Sequence, residues 1–210
     1  MKKEYKQKFV EYLNELFPNA ECELNYNSPF QLLVAVILSA QCTDKRVNMV
    51  VPVLFDKFKT IEDFATANLS ELEEVIKPCG FYHNKAKNIK NCSIALIEKF
   101  GGVIPNTVEQ LMTLPGVGMK TAKVVCSNLY NSNVIAVDTH VLRVSNRVGF
   151  VNQKNPDKCS QELEEIFKKD LHTLHHTMVL FGRYYCKAIN PKCENCKLKD
   201  FCKHFKSLGK

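Results

Sequence analysis

The stretch Leu114-Pro115-Gly116-Val117-Gly118-Met119-Lys120-Thr121-Ala122-Lys123-Val124-Val125 constrains this chain more than any other. Two glycines in three residues, behind a proline, make a tight turn that a Cβ would strain. The apolar positions Val117, Ala122, Val124, Val125 and Leu129 have the spacing of a helix entering a core. A helix that starts behind a glycine turn presents free backbone N–H groups and the positive end of its dipole. Together these bind anions, phosphate above all. Lys120 falls in the first turn of that helix, and Asp138 follows in the run Val137-Asp138-Thr139-His140. A lysine, a carboxylate and a phosphate cradle support amine nucleophilic catalysis on a phosphodiester-linked substrate.

The cysteines are the second constraint. Six are scattered, and four are clustered as Cys186-x6-Cys193-x2-Cys196-x5-Cys202. With no signal peptide expected, this pattern points to a reduced compartment and a metal site, not a disulfide framework. Four thiolates suit zinc or an iron–sulfur cluster, and the chemistry of the donors leaves both open. The charge is also uneven: residues 168–210 hold 10 Lys or Arg against 3 Asp or Glu, whereas residues 1–167 hold 19 of each. The whole excess of +7 therefore lies in the last fifth of the chain, which favours a polyanion-facing end over a merely solvated tail. The longest apolar run, Leu32 to Leu38, is too short to span a bilayer.

In order along the chain, helical periodicity runs from Glu4 to Phe17 and again from Pro29, behind Ser28 as N-cap, to Leu38. The second of these is apolar nearly all round and reads as the central buried helix. It ends in the polar break Ser39 to Asp44. Helices follow over Asp44 to Phe58, from the capping box Ser70-x-x-Glu73, and over Lys85 to Phe100. Phe81 to Lys85 reads as a turn, and Thr107 with Gln110 caps a short helix leading into the glycine turn. Beyond Asp138, helices are expected from Thr139 to Val148, from Pro156, and from about Asp170 to Tyr184. The chain is all-α.

Leu-Pro-Gly-Val-Gly followed by Lys-Thr-Ala resembles the helix–hairpin–helix of the endonuclease III family of DNA glycosylases. Val137 to His140 resembles that family's aspartate motif, and the likeness runs from about Ser28 to Cys202. The resemblance implies two lobes: residues 22–132 with the hairpin, and residues 1–21 plus 133–210 with a 4Fe–4S cluster held by Cys186, Cys193, Cys196 and Cys202. It implies that Lys120 attacks the anomeric carbon of a damaged nucleotide and that Asp138 assists. Gln41 and Phe81 match positions that enter the duplex, as plug and wedge. Gly116 and Gly118 would meet a phosphate, Lys187 and Lys192 would give the cluster loop its charge, and His140 would either support the catalytic residues from behind or lie near the DNA backbone.

One departure concerns Lys123, where family members commonly carry asparagine. It lies three residues after Lys120 on a shared helix face, and of two readings, a phosphate contact or a charge that tunes the Lys120 amine, the expectation is the phosphate contact. The function implied is excision of damaged pyrimidines from duplex DNA with abasic-site lyase activity. The expected form is a soluble, cytoplasmic, nucleoid-associated monomer that binds no membrane. The rival inside the superfamily is adenine glycosylase, which lacks the hairpin lysine. The rival of another class is a non-catalytic iron–sulfur DNA-binding module.

Overall fold

The computed structural model describes residues 3–209. The helices in chain order are α1 (Lys3–Leu16), α2 (Pro29–Ser39), α3 (Asp44–Lys57), α4 (Ile61–Thr66), α5 (Leu69–Ile76) and α6 (Tyr82–Phe100). They continue as α7 (Val108–Leu111), α8 (Met119–Tyr130), α9 (Thr139–Val148), α10 (Pro156–Phe167), α11 (Leu171–Tyr184) and α12 (Lys203–Ser207). Among the described residues no strand occurs, and no helix is long and apolar enough to cross a membrane. The chain divides into two compact units, Met1–Cys22 with Asn131–Lys210, and Glu23–Tyr130.

The unit Glu23–Tyr130 is built on α2. Ser28 caps that helix by accepting from the Gln31 N–H, and Pro29 occupies the first turn, where its missing N–H costs nothing. Every residue from Leu32 to Leu38 is buried, so α2 has no solvent face to keep polar. α3, α6 and α8 all pack against it. Two local starts differ from the sequence reading. The capping box falls at Thr60 and Asp63, opening α4, which periodicity had not revealed. The Ser70 and Glu73 pair is not the cap of α5: Asn68 takes that place, accepting from the Ser70 N–H. Phe81 to Lys85 is likewise not a free turn. Helix α6 already begins at Tyr82, with Phe81 as its N-cap.

The unit made of the two chain ends has its own core. Phe9 and Leu13 of α1 are fully enclosed, with Val144, Leu163 and Met178 from α9, α10 and α11 in the same cluster. Burying each of these large side chains stabilises by about 1.5–3 kcal/mol. Tyr5 stacks between Phe150 and Phe201, at 5.3 and 5.1 Å, and its hydroxyl donates to the Val148 carbonyl at 3.0 Å. These contacts fasten α1 to the segment that carries the clustered cysteines.

Candidate active site and nucleic-acid interface

The glycine turn joins α7 to α8. The Val117 N–H donates to Leu114 O at 3.1 Å, closing the turn, and the Ala122 N–H donates to Gly118 O at 2.9 Å, starting the helix. The N–H groups ahead of Ala122 have no intrahelical acceptor. Gly116 is obligatory: its φ is +79°, and a Cβ there would lie 2.7 Å from Asn88 Cβ on α6. Gly118 is different. Its φ is not left-handed and an added Cβ would meet nothing within 4 Å. The strain expected of both glycines therefore belongs to Gly116 alone. Lys120, the second residue of α8, is exposed.

Lys123 departs from expectation. Three residues along a helix turn the side chain about 60° away from Lys120, and here that rotation crosses from solvent to interior. Lys123 is 7% exposed, in the buried run Ala122 to Ser127. Enclosure of this side chain weighs against the phosphate contact expected of it.

Gln41 and Phe81 are both exposed, and both hold the left-handed conformation, at φ 52° and 58°. For residues with a Cβ this costs about 1 kcal/mol or more each. Phe81 is 66% exposed, so it is no core aromatic. The structure brings these two turns together. Cys42 follows Gln41, Cys79 precedes Phe81 by two, and burial, with Cys42 nearby, raises the Cys79 pKa. Below them the buried Lys85 donates from Nζ to Leu38 O at 2.8 Å. Burial lowers the Lys85 pKa, and the Cys42 and Cys79 thiols oppose that shift. Sequence reasoning missed this arrangement, because nothing in the spacing places Lys85 on the Leu38 carbonyl.

In the other unit, Asp138 is half-buried and caps α9: its Oδ1 accepts from the Val141 N–H at 2.8 Å. His140 packs against α11, where a Cβ on Gly182 would lie 2.8 Å from His140 Cβ. Its Nδ1 is 3.2 Å from Arg143 Nη2. That gives His140 a packing role and weakens its assignment to the DNA backbone.

The four clustered cysteines line one pocket, with Val148, Phe181, Tyr185 and Leu198 around them. Two arginines of α9, one turn apart, hold the loop that starts there. Arg143 donates to Gly182 O at 2.7 Å and to Cys186 O at 3.1 Å, and Arg147 donates to the Lys187 and Ala188 carbonyls. Arg147 also approaches Cys186 Sγ at 3.8 Å, and Cys202 Sγ donates to Arg147 O at 3.3 Å. The i, i+4 spacing of these arginines was legible in the sequence, but their targets were not. Burial pushes the Cys186, Cys193 and Cys196 thiols up, and Arg147 pulls Cys186 back down. Lys187 and Lys192 are exposed, with Lys192 Nζ 4.7 Å from the centre of the Tyr185 ring. Four cysteines around one pocket suit a cubane, which gives each iron its own thiolate.

Comparison with known proteins agrees with this geometry. Residues 34–169 match the model of the HhH-GPD superfamily base excision DNA repair protein, and residues 186–202 match the iron–sulfur binding domain of endonuclease III. Endonuclease III of Bacillus subtilis is 45% identical over 196 residues, 92% of this chain and 90% of that protein. Endonuclease III of Escherichia coli is 39% identical over 209 residues, 97% of each. A solved structure described as a trapped endonuclease III–DNA covalent intermediate superposes with a TM-score of 0.94, at 42% identity over all of both chains. A thermostable thymine-DNA glycosylase shares the fold at 22% identity, with a TM-score of 0.86 over 97% of this chain and 98% of that one.

Proposed function

Because the chain belongs to the endonuclease III family of HhH-GPD base-excision repair proteins, we propose that Lys120 is its amine nucleophile and Asp138 its assisting carboxylate. The protein is a bifunctional DNA glycosylase and abasic-site lyase acting on damaged DNA, and it carries a 4Fe–4S cluster. The observation that carries the assignment of Lys120 is its place: an exposed lysine in the first turn of α8, directly behind the Gly116–Gly118 turn.

The chemistry follows from that place. Backbone N–H groups at the start of α8 hold a phosphate of the damaged strand. Gln41 fills the gap left by the extruded nucleotide and Phe81 wedges the stack. The neutral Lys120 Nζ attacks C1′; the N–C1′ bond forms, the glycosidic bond breaks, and the base leaves protonated. Asp138 balances the positive charge that develops on the sugar and moves the protons. Its Oδ1 serves the cap of α9, and we assign the chemistry to the other oxygen. The sugar ring then opens to a protonated imine. Loss of a C2′ proton expels the 3′ phosphate, which breaks C3′–O and nicks the strand.

Cys186, Cys193, Cys196 and Cys202 would hold the cluster. With all four irons ligated by cysteine there is no open position for substrate, so the cluster's part is to staple the loop bearing Lys187 and Lys192. Oxidised pyrimidines are the lesions we assign, and a cytoplasmic, nucleoid-associated monomer the working form. Borohydride in the presence of lesion-containing duplex should reduce the imine and leave a covalent adduct. Lys120→Ala should abolish the adduct while duplex binding persists. Undiminished trapping in that variant would place the nucleophile elsewhere.

A further inference from the structure

Residues 131–137 lead from α8 to Asp138, the cap of α9, and the last three of them, Ile135, Ala136 and Val137, are buried. No strand occurs among the described residues, so this buried segment has no sheet partner for its N–H and carbonyl groups. Leaving such groups unpaired is costly, and here side chains pair them. The Ile135 N–H donates to Glu164 Oε1 at 3.0 Å, and Ser160 Oγ donates to the Ile135 carbonyl at 2.6 Å. Ser160 Oγ also lies 3.3 Å from Glu164 Oε1, so these two side chains of α10 brace each other. From α11, His175 Nδ1 meets the Ala136 carbonyl at 2.9 Å. A carbonyl only accepts, so Nδ1 carries the proton. Ser160 and His175 are both buried, and all these residues belong to the one unit made of the chain ends.

Apolar burial of Ile135 and Val137 is non-directional and leaves the segment free to slide. Three directed bonds, on three consecutive peptide groups, remove that freedom immediately ahead of Asp138. On its other side, Asp138 is tied to α9: Oδ1 accepts from the Val141 N–H, and its carbonyl accepts from the Leu142 N–H at 2.9 Å. The carboxylate is thus held from both sides, and its second oxygen points where the two ties send it.

From this geometry we propose that His175, supported by Ser160 and Glu164, is a positioning residue for Asp138, fixing the backbone ahead of that carboxylate in the place the reaction requires. The role rests on Asp138 as the assisting carboxylate, and His175 acts only through it. A displacement of ~1 Å, caused by a change away from the reacting atoms, costs about a hundredfold in rate. Loss of the His175 bond should have an effect of that kind on base release and none on the grip on DNA.

Single-turnover release of base should be followed with the cluster-containing protein in excess over duplex carrying thymine glycol. His175→Phe keeps a ring and removes the donor; His175→Asn puts an amide N–H where Nδ1 stood. His175→Phe should slow release by about ten- to a hundredfold, and His175→Asn should recover most of that loss. Duplex carrying a tetrahydrofuran abasic analogue should bind all three proteins alike. The discriminating measurement is the same substitution made in Asp138→Asn, which still caps α9. Residues that act as a unit are non-additive, so His175→Phe should cost no more than about twofold further there. Ser160→Ala, which removes a single oxygen, should show a smaller loss with the same non-additivity, and it serves in place of His175→Phe should that variant not fold. Equal losses in both backgrounds, or His175→Phe at the wild-type rate, would overturn the positioning role while leaving Asp138 in its own. Asp138→Asn at the wild-type rate would instead defeat the assisting carboxylate, and the positioning role with it.

Discussion

The Lys85 ammonium donates a 2.8 Å hydrogen bond to the Leu38 carbonyl, joining the first turn of α6 to the last turn of α2. The carbonyl is one that the end of a helix leaves without an intrahelical partner. Through this bond the Gln41 turn and the Phe81 turn share one anchor.

Replacing that anchor should be costly. Lys85→Met keeps the aliphatic stem and removes the donor, leaving Leu38 O unsatisfied in a buried setting. A charge-assisted bond of this kind contributes about 1.5–3 kcal/mol. The urea midpoint should fall accordingly, and exchange of the amide protons around Gln41 should quicken. An unchanged midpoint would mean that the ammonium contributes nothing there.

Phe81 offers a separation of stability from function. Its ring is exposed and its backbone is left-handed. Phe81→Gly releases strain of about 1 kcal/mol and forfeits little burial. Thermal stability should hold or rise while excision from lesion duplex slows. A clear drop in stability would show that the ring packs against the protein and is no wedge.

Lys123→Asn tests the enclosed position. Each phosphate neutralised adds about 0.9 to the slope of log binding constant against log salt. Because Lys123 is enclosed, the slope should stay the same in the variant, and any change should appear in thermal stability. A slope flatter by nearly one unit would return Lys123 to the DNA-facing surface.

His176 predicts an acid-side loss of stability. It lies among His172 and His175, and burial, with those neighbours, lowers its pKa to about 3. The unfolded chain therefore binds a proton that the folded chain refuses between about pH 6.5 and pH 3. Stability from this group is complete above pH 6.5 and falls by about 1.4 kcal/mol per pH unit below it. Urea unfolding at pH 7.5 and at pH 5 should differ by about 2 kcal/mol from this source. His176→Gln should flatten that difference. An equal pH dependence in the variant would assign the effect to other groups.

The helix map was legible where a cap and an apolar period agreed, as at Ser28, Thr107, Asp138 and Pro156. It failed where two caps competed. Asn68 and Ser70 are both good N-caps, and the choice between them depends on which register buries Leu72 and Ile76. The short α4 escaped because one and a half turns carry too little period to detect.

By itself the sequence determined the elements and the chemistry available to them: a glycine turn ahead of a lysine-bearing helix, a carboxylate cap, four spaced cysteines. These are local, since caps, turns and ligand spacings depend on neighbours along the chain. The tertiary structure decided everything that depends on neighbours across space. It gathered the two chain ends into one core around Phe9 and Leu13. It set Asn88 against Gly116, turned Lys123 inward, and laid the α9 arginines on the carbonyls of the cluster loop. The physical reason is that close packing fixes which face of each helix is enclosed, and no periodicity could say so within the unbroken buried runs Ala122 to Ser127 of α8 and Leu32 to Leu38 of α2.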